Sequence, residues 1–546
     1  MQSPILGQGY VARSVNAADN RLVNLFPEIL PEAGQTSGFL NRAPGLRLLA
    51  TIGTGPIRGL WTHTTNGEDA YVASGTEFYK IYPDYSYVKL GNISGTGPVS
   101  IADNGVQIAI ACNPNLFIYN EPANTFVQAV TPAGAKTISY IDGYFVYNQP
   151  NSQILWVTNI FDGTITDPLA FAAAESSPDK VIAVVTNNRE VWVFGEGTTE
   201  VWYDAATIPF PLAPIQGAYN EIGCVAAFSI AKLDNSIFWL GTDPRGFGIV
   251  YRNQGYTGKR VSTHAVEYAI QNYATLADAV AYTYQQEGHA FYVLNFPTAD
   301  RTWVYDVATQ GWHERAGLND AGVFTRNRGN CQMNFGEQTV VGDYENGNLY
   351  AFDLDVYSDN GMPQKWLRSW RALPPNQNNL KRTAHHTLQL NCETGVGLNL
   401  YPAYEAQDLA TEDGLELVAE YVQNVTVTQA GDELTTEGND AFELIADQPD
   451  YPVPFIPPMY ITTTSYPAAI GYDPQVMLRW SDDGGHTWSS EHWTSMGKIG
   501  EYGRRAIWRR LGMTVKLRDR IYEVSGTDPV KIDIMGAELV LTGTNS

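Results

Sequence analysis

Seven basic residues crowd into 17 positions near the C-terminus: Arg504, Arg505, Arg509, Arg510, Lys516, Arg518 and Arg520. Guanidinium groups grip carboxylates and phosphates through paired N–H donors. The clustering is notable because the chain holds 34 basic against 58 acidic residues, a formal net charge of -24. Two readings compete: charged side chains on the wet face of an edge strand, with Trp508 and Leu511 turned inward, or a docking surface for an acidic partner or phosphate. The opposite sign gathers between Tyr401 and Asp450, where 13 acidic residues stand without a Lys or Arg. A solvated loop is the plain reading of that run. His385-His386 is a weak metal candidate, because neighbours on a strand face opposite ways. The four cysteines, Cys112, Cys224, Cys331 and Cys392, are scattered without a CxxC pair and read as buried free thiols made in a reducing compartment. No G-x-S-x-G elbow, H-E-x-x-H site, Walker loop or EF-hand loop appears. A hidden glycosidase pair stays compatible with so many carboxylates, since its members need not be near in sequence. No catalytic residue, metal or cofactor is expected.

The elements that would position these residues are strands. From Arg58 to about Asp359 the chain repeats one pattern seven times, each unit running through strands and turns to a closing aromatic. In Tyr119-Asn120 to Phe126, Tyr203-Asp204 to Phe210 and Tyr305-Asp306 to Trp312, an aromatic follows the Tyr by seven residues across a turn. Weaker copies near 82, 158, 251 and 352 give spacings of 37 to 54 residues, close to the roughly 40–50-residue period of propeller blades. A single four-stranded sheet cannot cover both faces, whereas a ring of them can. The reading is an all-β protein: a β-propeller of about seven blades, six or eight being acceptable, over 58–359, then a C-terminal β-sandwich-like domain. A β-sandwich in place of the propeller is the alternative.

Residues 1–57 read as an N-terminal arm whose Leu22, Leu25 and Phe26 should pack on a propeller rim or a neighbouring chain. Residues 360–379 read as a joint carrying Trp366 and Trp370 and ending in a Pro/Asn run, and 380–546 as the second β domain with an acidic insertion at 401–470. Within it, Ser481-Asp482-Asp483-Gly484-Gly485-His486-Thr487-Trp488 matches the S-x-D-x-G-x-T-W Asp-box and resembles the hairpin turns of sialidase propellers. Ser and Asp would cap the turn and the Trp would pack beneath. One copy outside the repeats is a stabilising device, although it keeps a glycan-binding or glycan-cleaving propeller as the alternative function. No apolar run nears the roughly 18 residues needed to span a membrane, and the start lacks a basic, apolar leader.

Several segments together resemble the tail nozzle proteins of short-tailed bacteriophages, also called tail hub or packaged-DNA stabilisation proteins. They are Asn16 to Asp19, Arg21 to Pro27, Gly38 to Leu40, Ala43 to Gly45, Pro98 to Ala102, Leu478 to Gly484 and Ala506 to Gly512. The resemblance runs through the whole chain in order, while the acidic insertion departs from it. It implies a structural virion protein of the tail, made in the host cytoplasm and acting without an enzyme's chemistry. Six copies would form a tube below the portal and adaptor ring. Tail fibre or tailspike and a needle or plug protein would be its partners, and DNA would be retained and then conducted out without sequence-specific binding. An acidic wall suits that task, because duplex DNA carries one charge per roughly 1.7 Å and a basic lining would hold it. The acidic run Glu405 to Asp450 is then expected on the lumen or distal surface, and the Arg504 to Arg520 cluster against protein.

Overall fold

The computed structural model describes residues 1–13, 19–30, 37–65, 67–244, 246–374, 382–398, 470–514 and 520–543, together with the backbone strands Leu409–Ala410, Glu416–Leu417, Leu434–Thr435 and Ala441–Phe442. Seven antiparallel sheets stand in a ring. The first blade runs through Ile57–Thr62, Ala70–Ser74, Glu77–Ile81 and Tyr87–Asn92. The next five occupy 100–128, 138–173, 181–220, 223–260 and 280–315, and the seventh starts at 329. Each blade's innermost segment faces a central cavity of about 780 Å3, to which Leu60, Ile101, Tyr140, Thr186, Ile230, Thr283 and Gln332 contribute one lining side chain per blade.

Side-chain polar groups link the inner strands. The Ser100 hydroxyl donates to the Ile138 carbonyl, the Ser139 Oγ accepts from the Thr186 N–H, the Thr283 hydroxyl donates to the Lys232 carbonyl and the Asn330 amide to the Ile57 carbonyl. Such rungs pair polar groups on the edges of neighbouring inner strands where no ladder reaches, three of them part-buried and the Thr283 bond exposed. Further out, aromatic pairs join neighbouring blades: Tyr71 with Tyr119, Phe194 with Trp239, Phe238 with Tyr292 and Tyr284 with Phe352, at centroid distances of 6.0, 5.3, 5.3 and 4.6 Å.

The repeat has a local cause. All seven anchors lie in or immediately after the third strand of a blade, and the Asn or Asp after four of them caps the turn to the fourth. Asn120 accepts from the Ala123 N–H, Asp204 from Ala206, Asp306 from Ala308 and Asp353 from Asp355. These Asx turns fold the chain back so that the following aromatic reaches the sheet.

Two domain boundaries differ from the sequence reading. The seventh blade has three strands of its own, and its outer strand is Gly45–Thr51, which pairs antiparallel with Asn348–Asp353. The arm expected at 1–57 therefore includes a blade strand. A repeat-based reading takes each unit as contiguous and misses a strand supplied from the front of the chain. The joint expected at 360–379 contains a core strand, Trp366–Arg371, buried along most of its length. It lies between Leu22–Val23 and Ile521–Gly526, inside a nine-stranded sheet that continues blade six through Leu22–Val23 into the second domain. Its near-continuous Trp/Leu/Trp burial resembles a connecting segment in sequence because polar Arg368 and Ser369 interrupt it. The Pro/Asn run at 375–379 lies outside the described residues.

The second domain packs that sheet against a six-stranded one ordered Ala506–Met513, Thr383–Cys392, Asp533–Gly543, Gly38–Arg42 and Leu25–Ile29, with Gln2–Ser3 also paired to Asp533–Gly543. Its core gathers Trp366, Trp370, Leu388, Leu478, Tyr522 and Leu539. Propeller and sandwich thus share the N-terminal segment.

Candidate docking surface

The strand Ala506–Met513 pairs only with Thr383–Cys392 among the described strands, so it forms one edge of its sheet. Ala506, Trp508 and Leu511 turn inward and are buried, while Arg509 and Arg510 are exposed. The pairing slips between His385 and Thr387, and opposite that slip Arg510 takes φ 60°. A bulge and two cations on an edge oppose strand addition by another sheet. Arg504 and Arg505, also exposed, precede the strand and line a groove of about 680 Å3 with Met1, Gln389, Asn391 and Glu538. Exposed Trp493, Tyr502 and Met513 add apolar surface to this end of the domain, where the Trp508 indole N–H ties the edge to the His492 carbonyl.

Arg504, Arg505, Arg509 and Arg510 make no ion pair with any described residue, which contrasts with other arginines of the chain. Arg520 is different from the cluster it was grouped with. It is 2 % exposed, binds both Asp482 carboxylate oxygens at 2.8 Å, donates to the Leu511 carbonyl and lies over the Trp480 ring. It fastens the edge strand to the Asp-box turn and offers nothing to a partner. Lys516 and Arg518 lie outside the described residues, as does the acidic run 405–450 apart from the four short backbone strands given above.

The Asp-box acts on its own turn. Asp483 accepts from the His486 and Thr487 N–H groups and the Thr487 hydroxyl, and Ser481 Oγ accepts from Gly485. The Thr487 hydroxyl first, then the backbone donors, holds the Asp483 carboxyl below the ordinary range. Arg479 covers Trp488 at 4.8 Å. His385 is buried between Tyr522 and Thr383, and burial lowers its imidazole to about 4, whereas His386 is exposed. Among the described residues no group of His, Cys, Asp and Glu is arranged to hold a metal. Cys112, Cys224, Cys331 and Cys392 are free thiols.

Leu22 and Leu25 sit in the core of the sandwich, and Phe26 sits between blades six and seven, 5.1 Å from His289 and 5.4 Å from Phe291. Sequence reasoning missed two residues that secure this junction. Arg42, 3 % exposed, donates to the carbonyls of Asp528, Val530, Tyr357 and Gln364, which joins the sandwich to the propeller's last turn. Arg368 donates from Nε to the Ile5 carbonyl, holding the first residues in place. Burial lowers both guanidinium groups to about 10. Beside Arg42, buried Asp359 accepts from the Gln364 amide, and burial raises its carboxyl to about 6. The available signal was that Arg42 and Arg368 each lie within an apolar run.

A family profile described as "Bacteriophage P22 Gp10, beta-propeller" matches residues 1–357, and a second, "Bacteriophage P22 Gp10, beta-sandwich", matches 461–541. The chain belongs to the P22 Gp10 family. It is thus a structural tail protein of a bacteriophage virion, of the kind that stabilises packaged DNA. The family's two parts correspond to the ring of blades and the sandwich. No curated protein matches the sequence. Among solved structures, a streptogramin B lyase has a TM-score of 0.38 at 8% identity, covering 56% of this chain and 97% of its own. YCF48 from Cyanidioschyzon merolae has 0.36 at 9%, covering 56% and 98%, and U3-55K has 0.34 at 10%, covering 56% and 99%. No helix among the described residues is long and apolar enough to cross a membrane, which leaves β-barrels unaddressed.

Proposed function

We propose that this chain is the tail nozzle: six copies form a tube that continues the portal and adaptor channel, retains the packaged genome with a needle or plug protein, and conducts it out at infection. The observation that carries the reading is the match of both halves of the chain to one tail-protein family. Charge supports it. A protein with net charge -24 repels phosphate and lets duplex slide rather than bind. The exposed arginines 504, 505, 509 and 510 then serve protein docking, to the adaptor ring or to a fibre or spike.

The test is an infection in which this gene is silenced. Heads should fill and then lose their DNA, and purified protein should add to emptied tails as a ring of six chains. Stable, DNA-filled particles without the protein would defeat the proposal. Removing residues 1–45 should also abolish complementation, because that segment contributes Leu22, Leu25, Phe26 and Arg42 to the junction between the two parts.

A further inference from the structure

Blade three presents an apolar patch that the single chain leaves in water. The segment 158–170 joins its third strand to its outermost one, Phe171–Ala173, and so lies on the circumference of the ring. Val130, Ile160, Phe161, Ile165, Leu169 and Phe171 are all exposed there, Val130 at 80% and Phe161 and Leu169 at 67%. A soluble chain seldom leaves so many large apolar side chains together in solvent without a partner for them. The segment is also held firmly. Val130 and Ile165 form a backbone bridge, the Gly163 N–H donates to the Gln107 side-chain oxygen at 2.7 Å, and the Phe161 N–H donates to the Gly143 carbonyl at 2.8 Å. Phe161 takes φ 59°, a left-handed conformation that is costly for an aromatic residue. Strain that ends in an exposed ring is not explained by packing within this chain. Asp162 and Asp167 are interleaved with the patch, and no Lys or Arg occurs between Lys136 and Lys180. Arg189 of blade four, which adjoins this end, is already paired with Asp142 at 2.8 Å.

A matching surface lies on the other side of the ring, where the N-terminal arm meets blade six. The helix His264–Gln271, the arm strand Tyr10–Val11 and the outer strands of blade six enclose a pocket of about 460 Å3. Tyr10, Val11, Val266, Tyr268 and Trp303 line it, together with Arg13 and Arg301. Arg13 stands 5.6 Å over the Tyr268 ring, and Arg301 donates to the Asp300 and Phe324 carbonyls. Neither has a carboxylate partner among the described residues, whereas Arg21 beside them is paired with Glu314. An apolar knob set among acids and an apolar pocket with spare cations, on opposite faces of one chain, can meet only between two chains.

We propose that Phe161 and Leu169 of one copy seat in the arm–helix pocket of a second copy, with Asp162 and Asp167 toward Arg13 and Arg301, and that this contact repeats head to tail around the tube. The proposal rests on the six-copy reading above and names the surfaces by which neighbours meet. A knob and a pocket on different faces make a heterologous contact, which closes into a ring where the rotation suits and otherwise runs on as a filament. Apolar burial supplies the adhesion, and the opposite charges fix which way round the faces meet. The arginine edge of the sandwich takes no part in it.

Cross-linking in assembled particles tests this. An infection in which the gene is silenced is complemented by the full chain carrying Phe161→Cys and Tyr268→Cys, and intact particles are treated with a short bis-maleimide. Both positions are exposed, while three native thiols are buried and Cys331 is half-buried. The doubly substituted chain should give a ladder of two to six linked chains, and each singly substituted chain should stay unlinked. Separately, Phe161→Asp with Leu169→Asp should lower the amount of the chain in particles at least about tenfold. Its melting temperature should stay within about 2 °C, since both side chains are exposed. Particles that hold the doubly substituted chain yet give no ladder would overturn the proposal. Linkage of position 161 to a different tail protein, or normal incorporation of the Asp pair, would overturn it too. Stable, DNA-filled particles made without the chain would instead defeat the nozzle reading, so the two failures are distinguishable.

Discussion

Arginine occupies two very different settings at the two ends of the sandwich. At the junction with the propeller, Arg42 and Arg368 are buried and their N–H groups are directed at backbone carbonyls. At the far edge, Arg504, Arg505, Arg509 and Arg510 stand in solvent. The same side chain is a structural tie in the first region and unused binding capacity in the second. On the docking reading proposed above, an exposed arginine without an acid among the described residues is available to a partner. A buried one points inward to the fold.

Mutations should separate the two settings, and the largest effect is expected at Arg42. Arg42→Met leaves four carbonyl acceptors without their donor and should cost about 3–5 kcal/mol, read as a lowered midpoint in denaturant. A loss within about 0.5 kcal/mol would mean that the junction does not depend on it. Arg520→Met should cost about 2 kcal/mol, less than Arg42 because its partner Asp482 is 21% exposed, and should leave the propeller's unfolding unchanged.

Asp359→Asn should act in the opposite direction. Burial raises its carboxyl from the ordinary 3.8 to about 6, so the folded state binds the proton more tightly than the unfolded state does. The resulting stability is present below about pH 4 and is lost as the pH rises through about 6. The amide, which keeps the acceptor for Gln364, should therefore stabilise the protein by roughly 1–3 kcal/mol at pH 7 and by little at pH 4. A gain independent of pH would refute that cause. The smallest effect on folding belongs to Arg509→Glu with Arg510→Glu, within about 0.5 kcal/mol, while tail assembly should slow in a salt-dependent way. Melting at a much lower temperature would instead assign those residues to the fold.

What was legible in the sequence follows the same division. The blades were readable because an Asx turn after strand three is a local device: Asn120, Asp204 and Asp306 hydrogen-bond two or three residues away and so leave a repeating mark. Closure was not, because Gly45–Thr51 meets Asn348–Asp353 across some 300 residues and carries no mark of its partner. The exposed arginines announced themselves by density. Arg520 sat in the same cluster, yet its role depends on Asp482 and Trp480, which only the folded turn brings near. Apolar neighbours of Arg42 and Arg368 in sequence signal burial, but nothing local reveals which backbone carbonyls they reach.

The most direct test of the account is a structure of the assembled tail at side-chain resolution. It should show six copies around the DNA path, with Arg504, Arg505, Arg509 and Arg510 turned from the lumen and within about 4 Å of carboxylates of another protein. The same four arginines lining an open channel against DNA phosphates would contradict it.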